Sequence, residues 1–335
     1  MSIGKDTIQS MTTEGEVGLA AVQAAARLCE EVRQTMVAGG AQKIDKEDRS
    51  PVTVADFGAQ ALVCRRIRAA FPGDHIVGEE DSAMLRRPEN AARLDAVTRF
   101  VQREEPQAEA EDVLRWIDEG HGEPTGRYWV LDPIDGTKGF LRQDQYAIAL
   151  ALVESGMIQW GFLACPVLPH AMDTGAILVA QRENGATSFT LDGNERGPVR
   201  VSDVVEPADA RLAESVESAH TNRGLSAQLQ EALGIGHEPV RMDSQAKYVA
   251  VARGEAEIYL RSPNPRTPDY RENIWDHAAG WLVVTEAGGR VSDVYGRPLD
   301  WAQGRRLEQN IGVVATNGKL HDTVIAALAP LLPPH

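Results

Sequence analysis

Tyr128-Trp129-Val130-Leu131-Asp132-Pro133-Ile134-Asp135-Gly136-Thr137-Lys138 is the stretch around which the rest of the chain is arranged. The apolar run Trp129 to Leu131 reads as a buried strand. Asp132-Pro133 reads as its end, because proline fixes φ and lacks the N–H that sheet pairing needs. Two carboxylates, Asp132 and Asp135, lie three residues apart, with Gly136 supplying a tight turn and Thr137 a hydroxyl. Oxygen ligands of different kinds converging from a short, stiff segment, the Ile134 carbonyl among them, suit a hard divalent cation. An Asp-Pro strand end followed by an Asp-Gly turn is also ordinary chemistry for leaving a sheet, and this segment alone does not separate the two readings.

The chain has 335 residues, which at ~150 residues per domain suggests two domains or one large one. Charged residues make up 25% and hydrophobic ones 43%, the profile of a globular protein with a sizeable core. No run approaches the ~20 apolar residues of a membrane span, and residues 1–15 lack the basic start and apolar core of a signal peptide. The expected compartment is therefore the cytoplasm. A net charge of −15 argues against nucleic acid or an anionic membrane as partner. A small polyanion remains a possible ligand only where cations are recruited locally. Cys29, Cys64 and Cys165, widely spaced in apolar sequence, form neither a disulfide framework nor a zinc signature and read as buried thiols.

Apolar positions from Val17 to Met36 recur at helical spacing, with Gly39-Gly40 as a stop, and a second periodic run follows from Ala59 to Phe71. Asp56 then falls in the first turn of that second helix, where Thr53-x-x-Asp56 also fits a capping box. His75-Ile76-Val77 reads as a short strand aimed at Gly78-Glu79-Glu80-Asp81, acids that repel one another unless a positive group sits among them. Residues 82–127, polar and broken by Pro88, Pro106 and Pro124, read as a surface excursion. Beyond Thr137, hairpin-sized connections join runs near 146–153, 157–168, 176–180 and 187–191, so the strands are expected to pair antiparallel. The character changes again near residue 200. The expected division is an N-terminal α+β part, residues 1–198, carrying most of the candidate ligands, and a smaller C-terminal α/β part, residues 199–335. Trp275-Asp276-His277 opens a helix closed by Gly288-Gly289, which puts Asp276 in a first turn.

Glu79, Asp132 and Asp135 thus follow strand ends, while Asp56 and Asp276 sit at helix starts, the places where α/β and α+β folds build sites. Three blocks, Gly78-Glu79-Glu80, Trp129 to Thr137, and Trp275-Asp276-His277-Ala278-Ala279-Gly280, resemble in order and spacing the metal-binding motifs of the inositol monophosphatase superfamily, the Mg-dependent, lithium-sensitive phosphatases. Within it, Ser50 to Asp56, Lys138 to Arg142, Glu214 to Glu217 and Asp243 to Tyr248 look most like the 3′(2′),5′-bisphosphate nucleotidase branch.

The resemblance implies a layered αβαβα fold of the inositol monophosphatase/fructose bisphosphatase type. It also implies hydrolysis of the 3′ (or 2′) phosphate of adenosine 3′,5′-bisphosphate to AMP. By the same resemblance Glu79, Asp132 and the Ile134 carbonyl would hold one Mg2+ and Asp132, Asp135 and Asp276 a second, with a third, weaker ion near Glu79 and Asp56. Asp56 with Thr137 would orient and deprotonate the attacking water, and Glu80 would stand behind Glu79. Gly136 and Thr137 would offer backbone N–H groups to the phosphate, while His220, Ser244, Lys247 and Arg261 would line the pocket beyond the metals. Taken without the family, Lys247 is a helix-surface cation and Arg261 a strand-end charge, and Lys138 and Arg142 are loop charges. A sibling phosphatase acting on inositol phosphates and a non-catalytic phosphate-binding module are the alternatives. A monomer or weak oligomer working on a small phosphorylated nucleotide is the expected form.

Overall fold

The computed structural model describes residues 11–38, 50–169, 174–216, 223–263, 267 and 269–333. In chain order the elements are α1 (Thr13–Ala38), α2 (Ser50–Ala70), β1 (His75–Gly78), α3 (Ala91–Val101), α4 (Ala110–Asp118), β2 (Arg127–Asp135), α5 (Thr137–Leu141), β3 (Ala147–Glu154), β4 (Met157–Pro169), β5 (Thr174–Gln181), β6 (Gly185–Phe189) and β7 (Glu195–Pro198). They continue as β8 (Leu212–Glu214), α6 (Arg223–Leu233), β9 (Val240–Arg241), α7 (Ala246–Ala252), β10 (Ile258–Arg261), α8 (Ala278–Glu286), β11 (Arg290–Ser292), β12 (Val313–Thr316) and α9 (His321–Leu328).

β1 to β7 form one sheet in sequence order, and β11-β12-β10-β8-β9 form a second. Alternation along the strands sends side chains to two separate cores, as a pleated sheet covered on both faces requires. Trp129, Leu131, Ile148 and Leu150 face α1 and α2 through Leu28, Leu62 and Ile67. Tyr128, Val130, Ala147 and Ala149 face the other way, toward α7 and α8 through Tyr248, Leu282 and Val283. The second sheet repeats the division, with Tyr259 turned to that shared middle layer. Ile258 and Leu260 are turned outward to α6 and α9. The order helix, sheet, helix, sheet, helix is the layered αβαβα arrangement expected above.

Four local expectations change. β2 does not end at Asp132-Pro133 but runs through to Asp135, with a register shift against β3. The first sheet is antiparallel apart from β1, which pairs parallel with β2. α2 starts at Ser50, with Pro51 in its first turn where a missing N–H costs little, so Asp56 lies a turn deeper than a cap and the Thr53–Asp56 box is not a helix start. Asp276 belongs to a short 3-10 turn, Ile274–Asp276, immediately before α8.

Residues 82–127 are a fifth correction, because α3 and α4 pack on α2 and bury Leu85, Val97, Val101, Val113 and Ile117 in the first core. Their polar composition comes from the outer faces of two amphipathic helices. Replacing a buried aliphatic with alanine costs about 2–5 kcal/mol, against about 0.5 for a surface site. Ile117→Ala is therefore expected to lower the unfolding free energy by that larger amount in urea titration. A loss below about 0.5 kcal/mol would return this region to the surface.

Candidate active site

The site begins with a register. Gly78 of β1 stands opposite Leu131 of β2 in a parallel pair, so the next residues, Glu79 just past the end of β1 and Asp132 still within β2, come side by side. Residues three apart on a regular strand point to opposite faces. Asp132 pairs with Ala149 and Asp135 with Ala147, so three steps along β2 match two along β3. The extra residue is a bulge, and it brings both carboxylates to the face of Ala147 and Ala149, toward the middle layer. Pro133 and Ile134 occupy the bulge, where proline's missing N–H is tolerated. Gly136, at φ 91°, then turns the chain into α5. A Cβ at Gly136 would come within 2.9 Å of the Ser244 Cβ, so this turn and the Ser244 turn need a glycine between them.

The opposite wall comes from the C-terminal half. The Gln245 backbone N–H donates to Asp135 Oδ2 at 2.6 Å, its side-chain amide donates to the Trp275 carbonyl at 2.9 Å, and its Oε1 accepts from the Gly280 N–H at 3.1 Å. One buried glutamine thus joins β2 to the turn carrying Asp276. Ser244 holds a left-handed φ of 65°, its Oγ accepts from the Ala246 N–H, and its carbonyl accepts from Lys247 Nζ at 2.8 Å. Arg305 donates to the Gly78 carbonyl at 2.6 Å and lies over the Trp275 ring at 5.2 Å, tying the Glu79 turn to the Asp276 turn. On the other side, Gln60 of α2 both donates to the Glu80 carbonyl and accepts from the Glu80 N–H.

These turns enclose a cavity of about 470 Å³ whose lining includes Glu79, Asp135, Gly136, Thr137, Ser244, Lys247, Arg261 and Asp276. Asp132 is 1% exposed, and its Oδ1 is buried with no hydrogen-bond partner. Burial pushes the Asp132 carboxyl well above the usual carboxylate range, and repulsion from Glu79, Asp135 and Asp276 adds to it. Asp276 is raised for the same reasons, burial first and then Asp135 and Glu79. Burial and the charges of Glu80 and Glu79 raise Asp56. Burial raises Glu79, with Asp132 pulling it back and Asp135 pushing it up. Burial, with Glu79 and Asp81, pushes Glu80 up to about 7. Burial raises Asp135 too, held back by Lys247 and the Gln245 N–H. Burial also depresses Lys247, to about 8.

A group of hard oxygen donors, each resisting ionisation, with an orphaned buried oxygen at the centre, fits a divalent cation. Glu272, Asp276 and His277 also bring ligand atoms within 4.8 Å of one another. Glu272, however, is engaged by Arg261 at 2.9 Å and by His277 at 3.3 Å. Arg261 and His277 outweigh the effect of burial and hold Glu272 down to about 2, so Glu272 is taken up by those two partners rather than offered with Asp276 to a cation.

The structure therefore gathers Glu79, Asp132, Asp135, Gly136, Thr137, Ser244, Lys247, Arg261 and Asp276 in one place, with Ile134 in the bulge and Asp56 and Glu80 within charge range. His220 lies outside the described residues. Among the described residues Asp56 and Thr137 make no hydrogen bond to each other. Lys247 is not a helix-surface cation but 4% exposed, and Arg261 is paired rather than a free strand end. Glu272, His277, Gln245 and Arg305 are site residues that patterning does not single out. Only the Asp243 to Tyr248 block, for Gln245, and the Trp275 to Gly280 block, for His277, carried a signal in sequence.

The Inositol monophosphatase family profile matches residues 9–331. A 3′(2′),5′-bisphosphate nucleotidase of Schizosaccharomyces pombe is 42% identical over 342 residues, covering 96% of this chain and 96% of that protein. One from Oryza sativa is 43% identical over 331 residues, covering 92% and 91%. Among solved structures, an inositol monophosphatase from Anabaena superposes with a TM-score of 0.64 at 22% identity, over 96% of this chain and 97% of that one, a likeness of fold. With a profile match over nearly its whole length and two such relatives, the chain belongs to the inositol monophosphatase family.

Proposed function

We propose that this protein hydrolyses the 3′ (or 2′) phosphate of adenosine 3′,5′-bisphosphate, giving AMP and phosphate, as a Mg-dependent 3′(2′),5′-bisphosphate nucleotidase. Relatives at 42% and 43% identity over more than nine tenths of the chain carry that name, and the family is generally Mg-dependent. The observation that carries the reading is that one cavity gathers a group of carboxylates, Asp132 buried and Glu79, Asp135 and Asp276 open to it, together with two cations, the buried Lys247 and the half-buried Arg261. A substrate with one phosphate to be cleaved and a second to be held matches that division.

In this reading Glu79, Asp132, Asp135, Asp276 and the Ile134 carbonyl hold two or three Mg2+ ions. Bound there, the cation supplies charge to the transferring phosphoryl group and lowers the pKa of water. Asp56, made more basic by burial and by its acidic neighbours, takes the proton of the attacking water, and the Thr137 hydroxyl orients that water. The Gly136 and Thr137 N–H groups receive phosphate oxygens as the bond to the ribose oxygen breaks and that oxygen takes up a proton. Lys247 and Arg261 hold the 5′ phosphate, with His220 and Ser244 beside the nucleoside.

Asp135→Asn separates chemistry from folding. Loss of outer-sphere partners of a metal ligand alone costs about 10–100-fold, so turnover of adenosine 3′,5′-bisphosphate is expected to fall at least about a hundredfold. The melting temperature without metal should hold or rise, because one repelling charge is gone. AMP formation near the parent rate would contradict the metal reading.

The raised carboxyls also fix a pH dependence. The folded state keeps protons that the unfolded chain has already released, from the ordinary range near 4 up to about 7, where Glu80 titrates. Over that window the metal-free fold loses stability as pH rises. Differential scanning calorimetry in chelator should show the melting temperature falling from pH 5 to pH 8. Millimolar Mg2+ should restore it, more at pH 8 than at pH 5, whereas a midpoint indifferent to both would count against a metal-compensated cluster.

A further inference from the structure

One of the two cations of the cavity, Arg261, heads a hydrogen-bonded line of side chains that ends at Tyr248, the neighbour of the other, Lys247, in α7. Arg261 Nε donates to Glu272 Oε1 at 2.9 Å, and Glu272 Oε2 meets His277 Nε2 at 3.3 Å. His277 Nδ1 in turn meets the Tyr248 hydroxyl at 2.7 Å. Tyr248 follows Lys247 in α7 and stands edge-on to Tyr259 at 5.0 Å, while Lys247 Nζ lies over the Tyr259 ring at 5.4 Å. Glu272 is 6% exposed, His277 2% and Tyr248 0%. With Nε2–H donating to the carboxylate and the Tyr248 hydroxyl donating to Nδ1, each group in the line has one role.

A guanidinium is planar, so a carboxylate bonded at Nε fixes the direction in which the rest of the group faces. That carboxylate is itself held at its second oxygen, which removes its rotational freedom. A buried negative charge beside an anion-binding cavity weakens anion binding unless the order it imposes is worth more than its repulsion. Glu272 is therefore poorly explained as an idle counter-ion.

We propose that Glu272 is a positioning residue for the second phosphate. It sets the plane of Arg261 and, through His277 and Tyr248, the turn of α7 that carries Lys247, so that the enzyme selects a nucleoside bisphosphate over a monophosphate. This rests on the reading of Arg261 and Lys247 as the contacts of that phosphate.

The test compares KM and kcat for adenosine 3′,5′-bisphosphate and adenosine 3′-monophosphate in the parent protein, Arg261→Gln and Glu272→Gln. The ratio of kcat/KM for the two substrates is taken within one preparation, so any unfolded fraction cancels. Arg261→Gln should narrow the preference for the bisphosphate. Glu272→Gln should narrow it too, by about tenfold, the worth of one charge-assisted hydrogen bond, and chiefly through the bisphosphate KM. If Arg261→Gln narrows the ratio while Glu272→Gln slows both substrates alike, Glu272 is structural and the inference is overturned. If Arg261→Gln leaves the ratio intact, the reading of Arg261 itself fails. Should Glu272→Gln not fold, Tyr248→Phe, which removes only the far hydroxyl, carries the same comparison: a narrowed ratio supports the frame and an unchanged one overturns it.

Discussion

Mutual repulsion among carboxylates crowded around one cavity is the constraint on which the rest of this structure turns. Asp56, Glu79, Glu80, Asp132, Asp135 and Asp276 all have their acid forms favoured, and in each case burial is the leading cause. A fold dominated by hydrophobic burial gains nothing from such a group, and the loss of water around the acids opposes their charges. What gathers them is backbone geometry: a parallel pair that ends β1 beside Asp132, a bulge that turns Asp135 to the side of Asp132, and a 3-10 turn that delivers Asp276 from the other half. Gln245, Arg305 and Gln60 fasten those three pieces through backbone groups, so the acids are held without neutralising one another's partners.

The same logic explains the far wall. A chain of charge −15 binds an anion only where cations are concentrated. Lys247 and Arg261 are placed there by α7 and β10, the elements that pack the middle layer against the second sheet. Lys247 is buried and Arg261 half-buried, and burial works against the charge of each. In Arg261 the charge of Glu272 outweighs that penalty. Lys247, with only partial compensation from Asp135, is the more easily deprotonated of the two. Arginine is the residue that keeps its charge under such conditions, and lysine the one that yields it.

Much of this was legible in sequence. Asp132, Asp135, Glu79 and Asp276 read as element ends, each with a bland explanation taken singly, and it is their joint order and spacing that carry the resemblance to the family's metal-binding motifs. The layered fold was implied by the family resemblance, with which a hairpin-rich half and a βα half agree. What patterning obscured was local. Pro133 has the chemistry of a strand end, and only the pairing partners Ala149 and Ala147 show that it sits in a bulge. Thr53 and Asp56 have the spacing of a cap, but the helix had already begun. α3 and α4 look like a polar excursion because one helical face is polar, while the buried face meets α2, which precedes it by dozens of residues. Glu272 and His277 gain meaning only from Arg261 and from Tyr248, 29 residues before His277 in the chain, and no local pattern encodes such a contact.

The central claim is that the acidic wall works through a divalent cation on a nucleotide whose second phosphate the opposite wall holds. Steady-state phosphate release from adenosine 3′,5′-bisphosphate and from inositol 1-phosphate, each with Mg2+ and with chelator, tests it most directly. The account predicts turnover only with Mg2+ and a kcat/KM for the nucleotide well above that for the inositol phosphate. Equal or greater efficiency on inositol 1-phosphate, or undiminished turnover in chelator, would contradict it.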